Sequence, residues 1–167
     1  MRFAKFGHTG LTVSRMILGT GTFGKQTDEK EAQRMLDKAA EAGINFIDLA
    51  GGLLSGKYKH GDTPDKGRFS AELGGFGQAY HARYWHEREF ETVARVQEIA
   101  KQHETPITTL SVAWVLANPA ITSVILGASR VEQLTDTMAA ADYKLDSALK
   151  TRLDEVSIEF RRGDAGK

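Results

Sequence analysis

Three short segments carry residues whose types and spacing suit the binding of an anion. They are GTGTFG at residues 19–24, GGLLSGKY at 51–58 and VILGASRVEQL at 124–134. Glycine-rich backbone, hydroxyl groups and cationic side chains are the groups with which proteins bind phosphate. The sequence therefore predicts that these segments bind phosphate groups.

The segment GTGTFG has the GxGxxG spacing of a dinucleotide-binding loop, and Asp48 ends the next predicted strand, where that fold places a ribose-binding acid. In that fold the third glycine opens the helix whose N-terminus binds the pyrophosphate. Here KQT and a capping Asp28 separate Gly24 from the helix, and the Asp28 carboxylate would repel phosphate. We favour a strand-end loop beside a ligand, with a Rossmann loop as the alternative.

The segment GGLLSGKY has the GxxxxGK spacing of a P-loop, but Tyr58 stands where a P-loop needs a hydroxyl for Mg²⁺. The following KHGDTPDKG is not a helix start, so a P-loop is not expected. Ser55 and Lys57 still suit an anion, with Arg68 further along the chain. The alternative is an exposed basic loop.

The segment VILGASRVEQL places Ser129 and Arg130 between a predicted strand and a predicted helix. Backbone amides, a hydroxyl and a guanidinium at such a point make a phosphate site. The alternative is Ser129 as a plain helix cap with Arg130 in solvent. No metal site is expected, because His81 and His86 are poorly spaced for one.

Composition limits the class of protein. The chain has 167 residues, 41% of them apolar and 26% charged, with zero formal net charge and no cysteine. This suits a single domain with a core, and it excludes disulfides and thiolate chemistry. Neither nucleic acid nor membrane is expected as a partner. The start MRFAKFGHTG has no apolar run, so we expect no signal peptide and a cytoplasmic protein.

Hydrophobic periodicity predicts an α/β fold. The segment RFAKFGHTGLTVS predicts a hairpin, and RMILGT, INFID and ITSVILGAS predict buried strands. Residues 16–48 form one βαβ unit, whose strands should be parallel. Residues 59–87 are polar and aperiodic and predict a long loop.

Helices are predicted in TDEKEAQRMLDKAAEAG, residues 88–104, TTLSVAWVLA, VEQLTDTMAAA and DSALKTRLDEVSIEF. At the first helix, Asp28 and Glu31 predict a capping box and Gly43 predicts the end. Asp146 is the predicted N-cap of the last helix.

Together and in this order, the segments resemble the aldo-keto reductase family. KFGHTGLTVS resembles its N-terminal hairpin, ILGTGTFG and GINFID its first two strands, LAGGLLSGKY a late barrel loop, and SVILGASRVEQLTDTMAA its last strand and helix. The resemblance covers nearly the whole chain. It implies a TIM-type (βα) barrel without a Rossmann fold, binding NADPH, with NADH as the alternative, and reducing small aldehydes or ketones.

The resemblance also implies site residues. Gly21, Thr22 and Phe23 would lie beside the nicotinamide, and Ser55 and Lys57 would hold the pyrophosphate with help from Arg68. Ser129 and Arg130 would face the adenosine 2′-phosphate, and Gln133 the adenine. Where the family often has Glu-Asn, this chain has Asp136-Thr137, so adenine contacts there are not carried over.

One departure from the family is large. A complete barrel takes about 250 residues, whereas here the second strand runs at Asp48–Leu49 straight into what resembles the end of the seventh. We call this junction the seam. Strands three to six are absent, and of the family's catalytic tetrad only Asp48 has a counterpart, since Leu53 stands where the tyrosine is expected. We expect residues 1–167 to form one truncated domain, a partial TIM-type barrel.

The missing catalytic residues leave the proton donor open. Asp48 would be ionised unless buried, and so a poor donor. Tyr58 beside Lys57 is the nearest substitute, because a cation lowers the pKa of a phenol. Tyr80, Tyr84 and His86 are further candidates. The alternative is a nucleotide-binding remnant without turnover, and the bare edges of a partial barrel predict a homo-oligomer.

Overall fold

The computed structural model describes residues 1–23, 26–48 and 85–160. Its strands are β1 (Phe3–Lys5), β2 (Thr12–Ser14), β3 (Met16–Gly19), β4 (Ile47–Asp48) and β5 (Val124–Gly127). Its helices are α1 (Glu29–Glu41), α2 (Glu87–Gln102), α3 (Ile107–Leu116), α4 (Glu132–Ala139) and α5 (Ser147–Val156), with a 3₁₀ helix at Ile158–Phe160. The α/β class is confirmed.

The chain divides into two compact units. The first comprises Met1–Gly52 and Thr108–Leu145, and the second comprises Leu53–Ile107 and Asp146–Lys167. All strands of the described residues belong to the first unit. The candidate site is therefore built on that unit.

The first two strands form the predicted hairpin. β1 and β2 pair antiparallel, with Phe3 opposite Ser14 and Lys5 opposite Thr12. Gly7 and Gly10 in the connection have φ of 55° and 79°, a region in which a β-carbon is strained and glycine is not. The two glycines let the chain reverse there.

The remaining strands form a parallel sheet in the order β4-β3-β5. The βαβ unit predicted from residues 16–48 is confirmed, because β3 and β4 are parallel neighbours joined through α1. The strand predicted in INFID is shorter than expected, with ladder pairing at Ile47–Asp48. In the described residues β3 is the central strand, so it fixes the positions of both neighbours.

Helix α1 begins at the predicted cap. The Asp28 side chain accepts a hydrogen bond from the Glu31 amide at 2.8 Å, and Gly43 leaves the helix with φ of 78°. The other half of the predicted capping box has a different partner. The Glu31 carboxylate accepts from the Val131 amide at 2.6 Å and so reaches the start of α4.

The core of the first unit lies between the sheet and its helices. It is made of Met16, Leu18, Met35, Ala39, Ile44, Ala113, Leu116, Leu126, Ala128, Leu134, Ala140 and Ala141. Burying one such leucine or methionine side chain contributes about 1.5–3 kcal/mol. Arg15 adds a polar contact, donating from Nη2 to the carbonyl oxygens of Leu116 at 2.8 Å and Ile121 at 3.1 Å. This holds the end of α3 against the start of β3.

The second unit contains α2, α5 and the 3₁₀ helix. Helix α2 buries Val93, Val96, Ile99 and Ala100 on one face, and α5 buries Leu149 and Leu153. The predicted cap of α5 is confirmed, since Asp146 accepts from the Leu149 amide at 2.8 Å. Within residues 1–23, 26–48 and 85–160, no helix has the length and apolar character to cross a membrane.

Candidate nucleotide-binding site

The carboxyl ends of the three parallel strands are level with one another. Gly19 at the end of β3 pairs in register with Asp48 at the end of β4 and with Gly127 at the end of β5. The segments that follow β3 and β5 therefore start at the same edge of the sheet. In parallel α/β proteins this edge is where ligands bind.

The loop after β3 is Thr20 to Phe23. Gly21 is exposed, while Thr22 and Phe23 are half-buried. The Phe23 amide donates to the Thr20 carbonyl at 2.9 Å, which closes a tight turn. The Thr22 hydroxyl donates to the Ala128 carbonyl at 2.9 Å, so this loop is bonded directly to the segment after β5.

Thr27 strengthens this connection, and its role was not visible in the sequence. It is 2% exposed, and its Oγ1 lies 2.8 Å from Thr22 Oγ1 and 3.0 Å from the Ser129 carbonyl oxygen. Each hydroxyl has one proton. The Thr22 proton is donated to Ala128, so the Thr27 proton is donated either to the Ser129 carbonyl or to Thr22 Oγ1 at any one time. Thr27 thereby joins the loops on both sides of the candidate site.

The segment after β5 is ordered by Gln133. Its Oε1 accepts from the Ser129 amide at 2.8 Å and from the Ser129 hydroxyl at 3.3 Å. Arg130 lies between them and is exposed. The structure thus brings the predicted residues Ser129, Arg130 and Gln133 into one turn, and their roles toward a cofactor stay predictions.

A charged cluster lies at the start of α4. Glu31 Oε1 accepts from the Val131 amide, and Glu31 Oε2 lies 2.6 Å from Arg34 Nη1. Arg34 Nη2 also lies 3.4 Å from Glu132 Oε1. The Glu31 side chain is 17% exposed, against 54% for Arg34. We predicted Glu31 only as a partner of its own helix cap, so this contact was missed.

Several predicted site residues lie outside the described residues. Ser55, Lys57, Tyr58 and Arg68 fall there, as do the further candidates Tyr80 and Tyr84. For Asp48 the backbone ladder gives its position at the end of β4. Across the ranges that the structure describes, no group of three or more His, Asp or Glu side chains is arranged to hold a metal ion.

A parallel sheet with loops at its carboxyl edge is the architecture of barrel and nucleotide-binding α/β enzymes. Comparison of sequences narrows this class. The profile of the aldo/keto reductase family matches residues 15–51 and 49–158, which together cover more than half of the chain. The chain belongs to the aldo/keto reductase family. The two matched segments meet at residues 49–51, next to the seam.

Individual relatives also support the family assignment. The chain is 31% identical over 137 residues to aflatoxin B1 aldehyde reductase member 2 of Mus musculus, covering 73% of this chain and 36% of that protein. It is 37% identical over 109 residues to human aldo-keto reductase family 7 member A3, covering 58% and 32%.

A bacterial relative supports the same family assignment. The chain is 33% identical over 97 residues to L-glyceraldehyde 3-phosphate reductase of Escherichia coli O157:H7, covering 58% of this chain and 28% of that protein. The chain thus spans about a third of the length of these relatives.

Proposed function

We propose that this protein is an NAD(P)H-dependent oxidoreductase that reduces small aldehydes or ketones with a minimal or rebuilt catalytic site. The observation that carries the proposal is the register of Gly19, Asp48 and Gly127. It brings both candidate cofactor loops and the backbone of one tetrad residue to the same edge of the sheet. Membership of the aldo/keto reductase family supports the same reaction class.

The names of the relatives support an aldehyde substrate. Aflatoxin B1 aldehyde reductase and L-glyceraldehyde 3-phosphate reductase both carry an aldehyde in their names. Their substrates differ greatly in size and charge, so they support the aldehyde group and not a particular molecule. We extend that group, and no more, to this chain.

The residues at the carboxyl edge of the sheet support a dinucleotide as the ligand. Gly21 is exposed beside a tight turn, and a residue without a side chain lets a ring approach the backbone closely. Arg130 is exposed at the other loop and offers a guanidinium to phosphate. We assign the pyrophosphate to Ser55, Lys57 and Arg68. When bound, the reduced nicotinamide supplies the hydride.

The residues of this chain must then supply a proton to the carbonyl oxygen, because an unprotonated alkoxide is very unstable near neutral pH. We assign the donor role to Tyr58, whose phenol is adjacent in sequence to the Lys57 cation. Asp48 is a tetrad counterpart at the end of β4, and we assign to it the orientation of the donor. The tyrosine expected from the family is replaced by Leu53.

We also propose that the fold is a partial TIM-type barrel produced by an internal deletion at the seam. The order β4-β3-β5 is the order of the second, first and last strands of a closed barrel, and it supports this proposal. The two profile segments meeting at residues 49–51 support it independently.

Oxidation of NADPH and NADH, followed by absorbance with a panel of reactive aldehydes and ketones, tests the function. We expect carbonyl-dependent turnover that falls at least about tenfold in Arg130→Ala, the loss expected for one charged contact to phosphate. Arg152→Ala, an exposed arginine on α5, is the matched control and should leave turnover unchanged. Turnover that Arg130→Ala does not change would refute the proposed cofactor site.

A second candidate function is a nucleotide-binding protein without turnover. Leu53 in place of the expected tyrosine favours it, because the family's proton donor is then missing. Titration of NADPH against tryptophan fluorescence separates the two candidates. Saturable binding without oxidation by any carbonyl in the panel would support the binding protein and exclude the reductase.

A further inference from the structure

The charges of the chain are distributed unevenly along the sequence. Residues 1–27 contain four Lys or Arg side chains and no Asp or Glu, so all 22 acidic residues lie in 28–167. Because the whole chain has zero formal net charge, residues 1–27 carry four positive charges and the remainder carries four negative charges. The whole-chain balance, from which no membrane partner is expected, therefore does not show that this first part of the chain is basic.

The hairpin within this basic segment also exposes large apolar side chains. Phe3 is 51% exposed, Phe6 is 40% exposed and Leu11 is 59% exposed. They are half of the six large apolar side chains that are exposed in the part of the chain that the structure describes. A concentration of exposed apolar surface within a few residues is typical of an interaction site.

The apolar side chains at the hairpin connection are contiguous. The Phe6 amide donates to the Leu11 carbonyl at 3.0 Å, so the two residues are cross-strand neighbours. The ring of Phe6 packs edge-on against that of Phe46, with 5.6 Å between the ring centroids. Phe46 supports Phe6 from the side of the sheet, and Phe6 and Leu11 remain exposed together.

Cations lie beside these apolar side chains on the same ribbon. Arg2 and Lys5 are exposed and flank Phe3 along β1. Lys5 Nζ donates to Thr12 Oγ1 at 3.1 Å, a neutral partner that leaves its charge uncompensated. We call Arg2, Phe3, Lys5, Phe6 and Leu11 the hairpin patch. It offers positive charge and apolar surface to the same partner.

The hairpin is attached at the amino ends of the parallel strands. The Ser14 amide donates to Asn45 Oδ1 at 2.7 Å, and Asn45 precedes β4. The Ser123 hydroxyl donates to the Ser14 carbonyl at 2.8 Å, and Ser123 precedes β5. The candidate nucleotide site lies at the carboxyl ends of the same strands. A partner can therefore cover the hairpin patch without covering that site.

We propose that the hairpin patch docks on the surface of an anionic lipid bilayer. Such a surface attracts Lys and Arg electrostatically, and its boundary with the acyl chains takes up Phe and Leu side chains. Both kinds of group come from one short ribbon, and a bilayer offers both environments at successive depths without requiring a pocket of matching shape. The protein then lies on the membrane and does not cross it.

Co-sedimentation with vesicles tests the proposal. One set of vesicles is phosphatidylcholine alone, and the other is equal parts phosphatidylcholine and phosphatidylserine. We expect the wild type to sediment with the anionic vesicles and to stay in solution with the neutral ones. Added salt should release it, because salt screens the attraction between the cations and the lipid surface.

Two variants of the hairpin patch have matched controls in the last helices. Leu11→Ser should lower partitioning onto anionic vesicles about tenfold, because it removes most of one inserted side chain. Ile158→Ser is its control, since Ile158 is 58% exposed and lies outside the basic segment. Arg2→Gln should lower partitioning about fivefold, whereas Arg152→Gln, at another exposed arginine, should leave it unchanged. Circular dichroism checks that the variants are folded.

Several results would overturn the proposal. Failure of the wild type to sediment with either set of vesicles would exclude lipid docking, and equal sedimentation with both would exclude recognition of anionic lipid. Equal losses in the hairpin variants and their controls would exclude the hairpin patch. Binding to soluble polyglutamate but not to vesicles would assign the patch to an acidic protein. A lower solution mass of Leu11→Ser, measured by light scattering, would assign it to a second copy of this chain.

Discussion

At the scale of single residues, the positions that organise the candidate site are a buried threonine and a partly buried acid. Thr27 is almost fully buried and its hydroxyl contacts both flanking loops. Glu31 makes a long-range contact to the start of α4. Both belong to the stretch between β3 and the second turn of α1. The GxGxxG spacing in this stretch indicates the glycines and neither of these two residues.

Replacing Thr27 by valine keeps the shape of the side chain and removes its hydroxyl. The Ser129 carbonyl and the Thr22 hydroxyl then lose a buried partner, which costs about 1–3 kcal/mol of unfolding free energy. Because we assign both loops to the proposed cofactor site, we also expect a weaker affinity for dinucleotide. Urea denaturation measures the first effect and fluorescence titration the second.

Thr27→Ser is the control for this change, because serine keeps the hydroxyl and removes only the methyl group. The Thr27→Ser variant should keep most of the wild-type affinity for dinucleotide even if its unfolding free energy is lower. If Thr27→Ser and Thr27→Val weaken binding equally, the hydrogen bonds do not position the loops and Thr27 is only a packing residue.

At the scale of elements, most of the fold could be predicted because its signals are local. The hairpin turn, the cap at Asp28, the exit at Gly43 and the cap at Asp146 depend on nearby residues, and the structure has them where the sequence indicated. The extent of the INFID strand depends on pairing with β3, which the sequence does not encode locally. Only Ile47–Asp48 pairs in the ladder.

The candidate site was predictable only in part, for the same physical reason. Ser129, Arg130 and Gln133 are close in sequence, so a strand followed by a helix brings them into one turn. The contacts of Glu31 and Thr27 cross 100 and 102 positions. Such contacts follow from packing of α1 against the segment after β5, and no spacing rule in the sequence indicates them.

Helix caps offer a test at this scale. Asp28→Ala removes the side-chain acceptor of the Glu31 amide, and we expect a loss of about 1 kcal/mol in unfolding free energy, as for other N-caps. Urea denaturation measures it. Asp37→Ala, an exposed aspartate within α1, is the comparison and should change stability by less than about 0.5 kcal/mol.

A comparable loss in Asp37→Ala would mean that the charge of α1, and not the cap, determines the effect. An unchanged free energy of unfolding in Asp28→Ala would mean that tertiary contacts alone hold the first turn of α1. The contact between Glu31 and the Val131 amide would be the main one.

At the scale of the whole molecule, we propose that the chain forms a homo-oligomer. In the described part of the sheet β4 and β5 are the outer strands, and each carries an exposed isoleucine, Ile47 at 51% and Ile125 at 39%. Outer strands with apolar side chains favour pairing with another chain.

Light scattering coupled to size-exclusion chromatography tests the oligomer. We expect the wild type to exceed the mass of one chain, and Ile125→Lys to shift it toward the monomer because a charge on an outer strand opposes pairing. Leu11→Lys changes a residue that is 59% exposed in the hairpin connection and should leave the mass unchanged. A monodisperse wild-type monomer would exclude the oligomer.

The aligned ends of the three strands also determine whether the protein can assemble from two separate polypeptides. Gly19 pairs with Asp48 and Gly127 through β3 alone, so the continuity of the chain between β4 and β5 is not what aligns the site edge. Residues 1–48 and 85–167, produced as two separate polypeptides, should therefore reassemble when co-expressed. Co-purification of the untagged piece with the tagged one would show it. Its loss on changing the buried Leu18 to Asp would show that the two pieces join through the core around β3.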